Sequence, residues 1–205
     1  MGEGYDVVVA GGGISGSMAA IAAARLGSKT LLVERYSALG GMATLGLVQP
    51  ISTWGLDGDF IIGGTGLKIL QDLAERCPKS VLPMNGYFSI PPGKGPYGFS
   101  CDAEYLKLEL ETLAQEAGVH LLYHTWIHGV RMEEGRIAAL EAFSKEGNFL
   151  LQGKVFVDAT GDGDVCAFAG VPFETSTTSL GQQGISLMFL VSGVNRGACP
   201  ELPMI

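Results

Sequence analysis

Basic residues are scarce in this chain. Its 205 residues include 13 lysines and arginines against 21 aspartates and glutamates, a formal net charge of −8. Phosphate backbones are held by basic faces, so this balance argues against a nucleic-acid partner. Charge of any sign is limited to 17%, beside 47% hydrophobic residues, a composition that excludes a disordered chain. Cysteine is sparse as well: Cys77, Cys101, Cys166 and Cys199 are scattered, with no C-x-x-C. That spacing argues against a dithiol redox centre and a zinc site, and buried free thiols are the expectation. Apolar runs are all short of the ~18 residues that would span a bilayer, so no membrane segment is expected. The first four residues lead straight into an apolar run, which leaves no room for a signal peptide and gives a cytoplasmic expectation. The length suits one good core, or one domain and part of another.

Glycine, by contrast, is plentiful, with 31 in the chain. The stretch that organises the rest is 5–34. Asp6-Val7-Val8-Val9-Ala10 runs into Gly11-Gly12-Gly13-Ile14-Ser15-Gly16, an alanine-rich segment follows, and Thr30-Leu31-Leu32-Val33 ends at Glu34. An apolar run, a G-x-G-x-x-G turn, a helix-forming stretch and a second apolar run ending in an acid predict a dinucleotide-binding β-α-β unit. Gly11 permits the tight turn, Gly13 leaves room for a pyrophosphate, and Gly16 lets the helix approach the sheet. The free N–H groups at the helix start, over Ile14 and Ser15, would face the phosphates. Glu34 stands where a carboxylate accepts from ribose hydroxyls, and an acid there disfavours the 2′-phosphate of NADP.

Two other patterns fail on context. Gly93-Lys94-Gly95-Pro96-Tyr97-Gly98 also reads G-x-G-x-x-G, but Pro91-Pro92 precedes it, Pro96 interrupts it, and the next helix waits until after Asp102; it is a loop. His120, His124 and His128 lie four apart in a β-like segment, where four residues span roughly 13 Å, too far for one ion. No metal site is expected. Asp57-Gly58-Asp59 lacks the rest of a calcium loop and reads as a solvated turn within a loop-like region over 49–60.

Further along, the apolar residues Leu67, Leu70, Leu73 and Ala74 predict a core-facing helix. Residues 81–90 predict a short hairpin turning at Asn85-Gly86. Asp102 caps a helix that Gly118 ends, and 119–123 follow as a strand. Residues 125–157 alternate strands with breakers near Glu134-Gly135 and Gly147-Asn148, a β-meander, with 150–154 its last strand and Val155-Phe156-Val157-Asp158 a separate buried one. Beyond it lies Ala159-Thr160-Gly161-Asp162-Gly163-Asp164, where Asp162 and Asp164 are expected to cap the next helix. Residues 185–191 read as one more apolar strand after a polar linker.

Gly40-Gly41 marks either backbone held close to a ligand or a plain turn. Together with the acid Glu34, the basic Arg35 and the nearby Thr44, the doublet resembles the FAD-binding domain of glutathione-reductase-type flavoproteins. The meander and the Ala159-Thr160-Gly161 turn are similar to that superfamily's next two features, in order. The longer Asp-Ala-Thr-Gly-Asp-Gly-Asp string resembles FAD-dependent oxidoreductases related to fumarate-reductase-type flavoproteins. The resemblance implies an α/β fold: a Rossmann-like FAD-binding domain with a central parallel sheet and an inserted antiparallel meander, over 1–174. A linker and the first strand of a second, substrate domain would occupy 175–205. It implies FAD as cofactor, with the pyrophosphate and ribityl side near Gly40, Gly41, Met42, Ala43 and Thr44, adenine near the backbone of Ile127, and the adenosine half near Ala159, Thr160 and Gly161. The implied activity is transfer of hydride or electrons between a small-molecule substrate and flavin, and no catalytic residue carries over. An NAD-dependent dehydrogenase is the alternative enzyme, and a non-catalytic dinucleotide-binding module or half of a split flavoprotein is the alternative of another class. A homo-oligomer or a missing C-terminal portion would supply the remaining partner.

Overall fold

Val7, Val8 and Val9 leave no polar side chain to face water, so the first strand must be covered on both faces. In the computed structural model, which describes residues 4–52, 55–56, 59–60, 63–77, 81–83, 98–175 and 184–193, that strand is β1 (Tyr5–Ala10). It lies inside a six-stranded sheet. Helix α1 (Ile14–Arg25) crosses to β2 (Thr30–Val33), which pairs parallel with β1. The short strands β3 (Pro50–Ser52), β4 (Gly55–Leu56) and β5 (Asp59–Phe60) follow, then helix α2 (Gly64–Arg76). Next come β6 (Val81–Pro83), β7 (Gly98–Cys101), helix α3 (Ala103–Glu116) and β8 (His120–Leu122). The chain continues through β9 (Trp126–Glu133), β10 (Arg136–Ser144), β11 (Gly147–Asp158) and helix α4 (Asp164–Phe168).

The sheet order is β8-β2-β1-β11-β10-β9. Its first four strands run parallel, and β10 and β9 add antiparallel to one edge. Successive residues of β1 face opposite layers, as the two-residue strand period requires. Val9 and Leu32 point to the layer of α1, α2 and α3, with Ile21, Leu73, Leu106 and Leu110. Val8, Ala10, Leu31 and Val33 point to the layer holding Leu140, Ala142, Leu151 and Val165. Each fully buried aliphatic side chain of this kind stabilises the fold by about 1.5–3 kcal/mol.

Local chemistry sets the element ends. The Asp102 carboxylate accepts from the backbone N–H of Glu104 at 2.9 Å and of Tyr105 at 3.2 Å, capping α3 as expected, and Gly118 ends it at φ +81°. The β9–β10 turn holds Glu134 at φ +49° and Gly135 at φ +76°, the double left-handed pair of a type I′ hairpin.

Several expectations are corrected. The meander's last strand and the returning parallel strand are one strand, β11: its first half pairs antiparallel with β10 and its second half parallel with β1. Gln152, Gly153 and Lys154 interrupt the apolar pattern without interrupting the ladder, and the exposed Lys154 pairs with Asp6 of β1 at 2.6 Å. The supposed loop over 49–60 contains β3, which pairs with β7. Strand β6 also pairs with β7; the Asn85-Gly86 turn lies outside the described residues, as does most of the 93–98 loop. Residues 184–193 carry no regular structure, and Ile185 is 104% exposed. An apolar sequence becomes a strand only where a neighbour completes its hydrogen bonds, and none does so among the described residues. Of the thiols, Cys101 is buried, Cys77 half-buried and Cys166 exposed; Cys199 lies outside the described residues. No group of three metal-ligating side chains forms among the described residues, and no described helix is long and apolar enough to cross a membrane.

Candidate functional site

The glycine turn is anchored from three sides. Gly11 takes φ +98°, and a Cβ there would stand 2.3 Å from the Ala159 carbonyl oxygen. Its N–H donates to the Val33 carbonyl at 2.8 Å. The Gly12 N–H donates to Glu34 Oε2 at 2.6 Å, and the Tyr36 N–H donates to the other oxygen at 2.8 Å. Gly40 N–H donates to the Gly12 carbonyl at 2.8 Å, and Gly13 forms a bridge with Gly40. Gly16 packs so closely that a Cβ would overlap the Gly11 carbonyl.

Gly13 differs from its neighbours. It is the N-cap of α1 and makes no side-chain cap bond, and a Cβ placed on it would meet nothing within 4 Å among the described residues. The open space above it belongs to a cleft of about 620 Å³, within the size range of ligand pockets. The N-cap of α1, at the positive end of the helix dipole, therefore borders this cleft.

Ten of the sequence-predicted residues line the cleft: Gly11, Gly13, Glu34, Arg35, Gly41, Met42, Ile127, Ala159, Thr160 and Gly161. Six do not. Ile14, Ser15 and Gly16 belong to the first turn of α1. Gly40 packs under the loop against Thr44, where a Cβ would come within 2.4 Å of the threonine methyl. Ala43 is buried, and Thr44 is fully buried, its hydroxyl donating to the Leu39 carbonyl at 2.6 Å. Thr44 is thus a residue of loop architecture.

The structure adds residues the sequence did not single out. Glu34 N–H donates to the Leu122 carbonyl at 2.9 Å, Thr125 N–H to the Glu34 carbonyl at 3.1 Å, and His124 N–H to the Tyr36 carbonyl at 3.2 Å. This zipping brings Thr125 and Trp126 into the cleft wall beside Tyr36. The Arg35 guanidinium lies 5.0 Å from the Tyr36 ring centre and 5.2 Å from that of Trp126, a cation–π stack at the cleft mouth. Behind it, burial, reinforced by the Glu111 and Glu34 carboxylates, pushes the Tyr123 hydroxyl well above its ordinary range.

Asp162 and Asp164 also line the cleft, but they do not cap α4 as expected. Its N-cap is Gly163, at φ +73°. The Asp158 carboxylate instead accepts from Cys166 N–H at 2.8 Å, and the Thr160 hydroxyl accepts from Asp164 N–H at 2.9 Å. Burial raises the Asp158 carboxyl, yet the hydrogen bonds from Cys166 and Thr160 outweigh it and hold the group below the usual carboxylate range. The thiol's own hydrogen bond to Asp158, with smaller contributions from burial and the carboxylate's charge, pushes the Cys166 thiol up.

A parallel sheet with α1 opening over a glycine turn, an acid closing β2 and an antiparallel extension on one edge defines a Rossmann-like dinucleotide-binding flavoprotein fold. Residues 6–202 match the FAD dependent oxidoreductase family, and the chain belongs to it. Among curated relatives it is 26% identical over 204 residues to digeranylgeranylglycerophospholipid reductase 1 of Methanococcoides burtonii, covering 93% of this chain and 45% of that protein. It is 25% identical to the corresponding reductase of Methanocella arvoryzae, covering 93% and 47%. The chain therefore spans about half the length of these relatives. A geranylgeranyl bacteriochlorophyll reductase-like protein from Thermoplasma acidophilum shares the fold, with a TM-score of 0.59 at 23% identity over 82% of this chain and 42% of that one.

Proposed function

We propose that this chain is the N-terminal FAD-binding portion of an oxidoreductase that moves hydride or electrons between a small-molecule substrate and flavin. The observation that carries the reading is the empty volume over Gly13 at the uncapped start of α1, with Glu34 at one side of the same cleft. The residues present fit the cofactor. A pyrophosphate would lie over Gly13 and the first N–H groups of α1. Glu34 commits its two oxygens to one backbone N–H each, and a carboxylate has about four acceptor positions, which leaves capacity for ribose hydroxyls. Gly41 and Met42 would border the phosphate and ribityl side, and Ile127, Ala159, Thr160 and Gly161 the adenosine half. FAD, when bound, supplies the electron chemistry, while the protein binds and orients it.

The test is direct. Purified protein is mixed with FAD, freed of excess by gel filtration and examined by visible absorption. Retained flavin bands at near one equivalent are expected. A colourless protein, with no shift in melting temperature on adding FAD, would overturn the reading for this chain.

A further inference from the structure

We propose that Asp158 is the positioning residue of the dinucleotide cleft, its carboxylate clamping the 159–164 turn in the shape that receives the ligand. This inference rests on the reading of the cleft given above. The turn is soft by sequence, because Gly161 at φ +91° and Gly163 at φ +73° sit in a region of backbone space that glycine enters freely. Something other than local stiffness must fix it. Asp158, the last residue of β11, sends one oxygen to Thr160, accepting from its N–H at 3.1 Å and its hydroxyl at 2.7 Å, and the other to the Cys166 N–H at 2.8 Å.

Proton counting sets the polarity of this network. An ionised carboxylate only accepts, so the single Thr160 hydroxyl proton goes to Asp158, and the hydroxyl oxygen is then free to accept from the Asp164 N–H at 2.9 Å. One carboxylate thus ties the end of β11, the turn and the start of α4 together. Most of the turn it shapes faces the ligand space: Ala159, Thr160, Gly161, Asp162 and Asp164 line the cleft. The turn also presses on the glycine fingerprint, since Ala159 N–H donates to Ala10 and the Ala159 carbonyl stands against Gly11. A displaced turn would shift the floor under Gly11 and Gly13 together.

The competing account is that Asp158 merely caps α4, and ligand affinity separates the two. Binding of ADP and of FAD to the full 205-residue chain is measured by calorimetry, beside the melting temperature without ligand, for the parent protein, D158N, T160V and T160S. The Asn amide nitrogen cannot accept, so D158N loses one arm of the clamp; T160V loses the hydroxyl relay; T160S keeps it. Losing one charge-assisted hydrogen bond corresponds to about tenfold in affinity, so D158N and T160V are expected to weaken ADP and FAD by about that factor, with T160S within about twofold of the parent. Parent-like ADP affinity in D158N and T160V, with only the melting temperature lowered, overturns the proposal in favour of capping. T160S as weak as T160V overturns it as well. Should D158N fail to fold, the T160V and T160S pair decides. A parent protein that binds neither ADP nor FAD overturns the cleft reading, and this inference with it.

Discussion

Gly11 and Gly13 occupy one turn yet face opposite demands. A Cβ at Gly11 would collide with backbone 2.3 Å away while holding φ +98°, whereas a Cβ at Gly13 would enter open space from an ordinary extended conformation. Gly11→Ala is therefore expected to destabilise the protein by about 2 kcal/mol or more. Gly13→Ala is expected to melt within about 0.5 kcal/mol of the parent but to lose retained FAD, because the methyl group occupies the ligand's space. Thermal melts paired with flavin absorbance check both; an equal effect of the two substitutions on stability would contradict this account. Residues of this kind were legible in sequence, since the glycine fingerprint and its acid are set by a single local crossover. Glu34 was legible only by half: its place at the end of β2 follows from the pattern, but its grip on Gly12 N–H does not. Tyr36 and Trp126 were not singled out, because they meet only when 34–36 zip onto 122–125, an event between distant parts of the chain.

At the scale of elements, the β9–β10 hairpin holds a non-glycine residue in left-handed space at Glu134. Asn tolerates that conformation better than Glu, so Glu134→Asn is expected to stabilise the protein by about 0.5–1 kcal/mol, read as a higher urea midpoint with an unchanged slope. Between α2 and α3, Glu109 is buried with Oε1 lacking a hydrogen-bond partner among the described residues, while Oε2 meets the half-exposed Arg76 at 3.3 Å. Burial raises the Glu109 carboxyl; Arg76 and Lys68 oppose this, and Asp72 and Glu116 add to it. A carboxyl raised in the folded state contributes stability while protonated and loses that contribution as pH rises through its raised value. Glu109→Gln is thus expected to gain on the parent between pH 4 and pH 8, by about 1 kcal/mol at the upper end, and a pH-independent difference in melting temperature would refute it. Among elements, α1, α3 and the meander hairpins were readable from periodicity, caps and turn glycines. The pairing of β3 with β7 was not, because three-residue and four-residue strands carry too little pattern to announce a partner. Residues 185–191 show the converse: the apolar pattern was present, and no neighbour pairs with it among the described residues.

For the whole molecule, the two apolar layers are joined across one sheet, with β1 and β2 feeding side chains to both. Strand β11 is the member that makes this sheet continuous. Its amino-terminal half is the third strand of the antiparallel extension and its carboxy-terminal half is the fourth strand of the parallel set, with the exchange falling between Gln152 and Gly153. Neither half can open far without peeling the other, since both draw on a single extended backbone. Amide exchange with deuterium reads such a coupling directly: the β1 amides and the β11 amides on either side of residue 152 should exchange late and together, as one cooperative unit. The antiparallel extension, which a sheet map would draw as an appendage, would then share the protection of the strand that leads into the Asp158 clamp, and damage at the Glu134 hairpin would register as faster deuterium uptake beside the glycine turn.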